Sequence, residues 1–154
     1  MSNVRSLLSH FAMFRGSDVY ILEVDEKWKT SSVAQVDNIC PRWNLNMMLG
    51  HGCKFGSTFV TQRAISKGAD DWEYGLECAC FGGHLDFVKQ MISMGANHSN
   101  TGLYHACWGG HRHVIDYMIS KGADGWGVAS IYAKDGNHAD LVALMNERRD
   151  SETN

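Results

Sequence analysis

The sequence predicts an all-α helix-turn-helix solenoid of about four short repeats behind a non-repeat N-terminal cap. Two observations carry that expectation. First, five registers recur without a gap at 27 residues: Gly68, Gly95 and Gly122; His84, His111 and His138; Cys53, Cys80 and Cys107; Ala79, Ala106 and Ala133; Ile65, Ile92 and Ile119. A fixed period between about 20 and 50 residues is the signature of a solenoid, in which each unit buries its apolar face only by stacking on a neighbour. Second, apolar residues in each block follow helical spacing up to a glycine. The single proline, Pro41, lies before the first block and breaks no helix inside the array.

Residues 1–41 do not fit the period and are expected to cap the array. Val4, Leu7, Leu8, Phe11 and Phe14 form one apolar helical stripe with Asn3 as an N-cap. The run from Val19 to Val24 reads as a short strand, or Trp28, Val33, Val36 and Ile39 mark a second helix. This segment is either the atypical end unit that solenoids require or a docking element for a partner or a second copy of the chain.

The array is expected over 42–149, in blocks 42–70, 71–97, 98–124 and 125–149. Between Gly82 and Asn97, Leu85, Phe87, Val88, Met91 and Ile92 keep helical spacing, Asp86 suits the first-turn dipole, and Gly95 supplies a left-handed stop. His111 to Lys121 repeats the plan with Val114, Ile115, Met118 and Ile119, closed by Gly122. The preceding helices are expected to be shorter, at Leu76 to Phe81, Leu103 to Trp108 and Ile131 to Asp135, with Ala79, Ala106 and Ala133 allowing close approach. Residues 150–154 are a polar tail expected to fray.

At 154 residues the chain holds one ordinary core. A net charge of -3 gives no reason to expect nucleic acid or an anionic membrane as partner. No continuous apolar stretch suits a secretory signal or a membrane span. Five cysteines are an odd number, and three share one register, which reads as reduced thiols in a cytoplasmic or nuclear protein.

The segments GLECACFGGHLDFVKQMISMGAN and GLYHACWGGHRHVIDYMISKGAD resemble ankyrin repeats: a Leu, a small pair, Gly-His, a paired aliphatic helix and a closing Gly-Ala-Asn or Gly-Ala-Asp. The resemblance runs from about Trp43 to Arg149, roughly 70% of the chain. The first block departs with Ser57 in place of His, and the last with Asn137 for Gly and Lys134 for the second small residue. The family unit is usually about 33 residues and carries a β-hairpin finger. Here only DWEY, HSNT and GWGV separate Gly-Ala-Asp/Asn from the next helix, so a tight loop is expected to replace the finger. Such shortened repeats are similar to those abundant in large DNA viruses of protists, which implies a viral or effector protein that binds a host regulatory factor.

Histidines and cysteines invite a metal reading. Stacked helices stand about 8 to 10 Å apart, whereas zinc ligands lie about 2.0 to 2.3 Å from one ion, so one-per-block ladders cannot share a metal. A local cluster of His105, His111 and His113 is the alternative metal or small-molecule site. No phosphate loop, nucleophile elbow or paired-histidine zinc helix is present in the sequence, and no catalytic residue or cofactor is assigned.

The resemblance implies a partner-contacting concave face on the outward positions of the inner helices: His51 and Lys54, Cys78 and Phe81, His105 and Trp108, Tyr132 and Asp135. Phe81, Trp108 and Tyr132 would form an aromatic stripe there, and contiguous exposed aromatics mark binding surfaces. Trp72 and Trp126 share a register, with Ser99 between them, and either plug the gap left by the missing fingers or contact the partner. Glu73, Tyr74, Asn100 and Thr101 complete a polar rim in the loops. The expected function is non-enzymatic recognition of another protein.

Overall fold

The computed structural model describes residues 45–152. The cap expected over 1–41 lies outside the described residues. Eight helices and no strand occur among the described residues: α1 Leu45–Phe55, α2 Thr58–Ser66, α3 Trp72–Gly82, α4 Leu85–Ser93, α5 Ser99–Gly109, α6 Arg112–Ser120, α7 Trp126–Asp135 and α8 Ala139–Glu152. The odd-numbered helices begin at 45, 72, 99 and 126 and the even-numbered ones at 58, 85, 112 and 139, so every start recurs at 27 residues.

The odd-numbered helices pack on one another in series, α1 on α3, α3 on α5 and α5 on α7. Each even-numbered helix packs mainly on its own odd-numbered partner, and α4 barely touches α6. Three of the rows that recur with the period are buried. Leu49, Leu76 and Leu103, Met91, Met118 and Met145, and Ala79, Ala106 and Ala133 are all at most 1% exposed. Burying a Leu or Met fully is worth roughly 1.5–3 kcal/mol, so these rows hold the layers together.

Small residues let the odd-numbered helices meet backbone to backbone. A Cβ at Gly109 would stand 2.3 Å from the Phe81 carbonyl oxygen, and Gly82 and Gly136 sit equally close to the carbonyls of Lys54 and Trp108. The helix stops follow from the glycines too. After α4, Gly95 adopts φ 121°, its N–H donates to the Ile92 carbonyl and the Ala96 N–H donates to the Met91 carbonyl, which is the Schellman arrangement. Gly68 and Gly122 close α2 and α6 the same way. At the end of α7 the left-handed position is taken by Asn137, with φ 62°, the non-glycine residue that tolerates it best.

Three expectations are corrected. The odd-numbered helices are not short: α3 and α5 each span 11 residues, longer than the 9 of α4 and α6. The DWEY, HSNT and GWGV segments are therefore not loops, because Trp72, Ser99 and Trp126 are the first residues of α3, α5 and α7. The cause lies one block upstream. Asn46 Oδ1 accepts the N–H groups of Asp70 and Asp71 at 2.9 and 3.1 Å. The Glu73 carboxylate accepts those of Asn97 and His98 at 2.7 and 3.3 Å. Asn100 Oδ1 accepts those of Asp124 and Gly125 at 2.8 and 2.9 Å. Each connection is pinned by a side chain of the preceding odd-numbered helix, so the next helix starts at once. The polar tail also departs from expectation, since α8 continues through Glu152, with Ser151 donating to the Arg148 carbonyl.

Candidate protein-binding surface

Along the odd-numbered helices two rows stand three residues apart: His51, Cys78, His105 and Tyr132, and Lys54, Phe81, Trp108 and Asp135. A three-residue step keeps both rows on one helix face. The structure joins them into a ring network. Phe81 meets Trp108 edge-on at 5.0 Å between centroids, and Trp108 meets Tyr132 edge-on at 6.1 Å. His105 lies 6.3 Å from Trp108 and 5.7 Å from Tyr132. Edge-to-face pairs at these distances are attractive beyond their buried area.

At one end the Lys54 ammonium sits 5.2 Å above the Phe81 ring, a cation–π contact. At the other, Asp135 is exposed. Phe81, His105, Trp108 and Tyr132 are each half-buried, so the rings brace one another and keep an open side. His105 is fixed further by its Nδ1, 3.0 Å from the Thr101 carbonyl oxygen. His51, expected to point outward, is buried and lies nearly parallel to Phe55.

Tyr104 joins the network at 5.5 Å from Tyr132 and was not singled out by the sequence. Its 27-residue counterparts are Glu77 and Ile131, so periodicity carried no signal for it. Burial, then the nearby Asp124 carboxylate and Tyr132, push its phenol upward. Val128 and Ile131 on α7 were missed as well; they are 42% and 58% exposed.

The six residues expected in loops lie in the first turns of helices instead. Glu73 and Asn100 are the cross-block tethers described above. The Tyr74 ring covers α1, where a Cβ at Gly50 would meet its Cε1. Thr101 supplies the carbonyl that holds His105. Trp72 is half-buried, while Trp126 is only 6% exposed and offers a partner almost no surface.

The histidines have separate structural duties. A Cβ at Gly110 would stand 2.3 Å from His138 Cε1, and Gly56 and Gly83 face His84 and His111 in the same way. His111 is held below its ordinary value by burial, against a hydrogen bond to the Phe81 carbonyl that acts the other way; His113, His84 and His138 add to the lowering. His113 Nε2 lies 2.9 Å from the Gly83 carbonyl oxygen. Among the described residues no three His, Cys, Asp or Glu side chains converge as a metal ion requires, so His105, His111 and His113 do not come together as metal ligands. Burial pushes the Cys53 and Cys107 thiols up to about 12 and raises Cys80 as well, which disfavours their thiolate forms.

No family model matches the chain, and no curated protein matches it either.

Proposed function

We propose that this chain is a non-enzymatic protein-recognition module: a solenoid of four ankyrin-like 27-residue units without fingers, whose odd-numbered helices present Lys54, Phe81, His105, Trp108, Tyr132 and Asp135 to a partner protein. The observation that supports the reading best is the half-buried ring network running across α3, α5 and α7. Trp and Tyr are enriched among the residues that dominate binding energy. Rings already braced against one another lose little freedom when a partner docks, which lowers the cost of association. The cation above Phe81 and the exposed Asp135 give the surface a polarity along its length, so a complementary partner would engage it in one direction.

The resemblance to shortened viral repeats makes a host regulatory factor the partner proposed, met inside the cell. Trp108→Ala is the decisive variant. It should weaken partner capture from the natural cellular background at least tenfold, read by affinity capture and mass spectrometry, and leave the helical circular dichroism signal unchanged. Undiminished capture by a folded variant would refute the surface. Loss of the helical signal would show that Trp108 is needed for the fold itself.

A further inference from the structure

A cleft of about 260 Å³ opens between the second and third blocks, lined by Leu76, Ile92, Ala96 and Met118 with the polar Asn97, Ser99 and Lys121 at its edge. Its place in the 27-residue register explains it. Ser99 is the first residue of α5, and the first residues of α3 and α7 are Trp72 and Trp126. The first residue of α1 is Leu45; of the three odd-numbered helices that follow, two supply an indole, and Trp126 is only 6% exposed. The other, α5, supplies a hydroxymethyl group, beside a cleft walled by Leu76, Ile92, Ala96 and Met118.

We infer that this cleft binds a small planar bicyclic aromatic molecule of the indole type, a counterpart to the tryptophan side chains that open α3 and α7. The size is compatible: an enclosed apolar cavity of roughly 150 Å³ accepts benzene, and this more open cleft of about 260 Å³ has room for a fused two-ring system. The polar edge agrees as well. Ser99 Oγ donates to the Lys121 carbonyl at 3.2 Å and keeps acceptor capacity for a ligand N–H. Trp126 has no such provision, for its buried Nε1 has no hydrogen-bond partner. A nitrogen heterocycle in the Ser99 cleft is thus better satisfied than the chain's own indole.

The test uses the full chain with methyl-labelled Ile and Met, titrated with indole alone. Saturable shifts concentrated on Ile92 and Met118 are expected. Ser99→Trp should fill the cleft from within, weaken indole binding at least tenfold and raise the thermal midpoint by roughly 2–4 °C. Ser99→Phe is a smaller plug and should give the same loss of binding if the Trp variant does not fold. The inference is overturned if indole produces no saturable shift, if a folded Ser99→Trp chain binds indole as the parent does, or if a tryptophan-bearing peptide shifts these methyl groups and indole does not.

Discussion

Helices α5 and α7 begin 27 residues apart and follow the same plan, yet matching positions meet opposite fates. Cys107 is fully buried, whereas Lys134 in its register is exposed. Asn100 tethers the next connection; its counterpart Gly127 has no side chain, and a Cβ there would meet nothing within 4 Å. Thr101 and Tyr104 become Val128 and Ile131, both well exposed. The lesson is that secondary structure repeats with the block while burial depends on what lies on both sides. Helix α5 is packed between α3 and α7, and α7 packs on α5 and α8.

The sharpest way to break this contrast is to truncate the core of the middle helix. Leu103→Ala should cost about 2–5 kcal/mol, because Leu103 is fully buried and its neighbours relax only in part. Ile131→Ala, at 58% exposure, should stay within about 0.5 kcal/mol. Urea unfolding of both variants checks the pair, and equal losses would mean that α7 is as enclosed as α5. A smaller effect is expected at the tether. Asn100→Ala removes acceptors for two backbone N–H groups and should cost about 1–2 kcal/mol, the surface position letting water replace part of the loss. Gly127→Ala should lose no such contact, and a comparable cost there would contradict the tether assignment.

The smallest effect is set by pH. His111 in the folded chain is held below its ordinary value, chiefly by burial, so the unfolded chain binds the proton more readily. Its contribution to stability is therefore intact above the unfolded value of about 6.5 and is lost as pH falls through that value towards the folded one. Urea midpoints should drop between pH 7.5 and 5.5, and His111→Gln should flatten part of that slope. An unchanged slope in the variant would assign the acid sensitivity to other groups.

Much of the helical frame was legible in the residues because the signals that set it are local. Glycines at 68, 95 and 122 mark stops through their own backbone freedom, and the aliphatic spacing of Val114, Ile115 and Met118 marks a buried face. The starts of α3, α5 and α7 were misread because they depend on acceptors 24 or 25 residues upstream, Asn46, Glu73 and Asn100. Those three positions also lie 27 apart, so the signal was present; polar residues at helix starts simply look like loop. The aromatic row of Phe81, Trp108 and Tyr132 was legible as a candidate. Its junction with Tyr104 was not, since that contact breaks the period.

By itself the sequence determined the 27-residue period, the helical class of the described residues and the glycine stops of α2, α4 and α6, because apolar spacing and glycine stops act within a few residues of the chain. Only the tertiary structure decided that the Trp-bearing segments are helix, that Trp126 is buried while Ser99 borders a cleft, and that the rings of α3, α5 and α7 meet edge to face. Those outcomes depend on which side chains of one block reach the backbone and rings of the next, and local propensity holds no record of that distance.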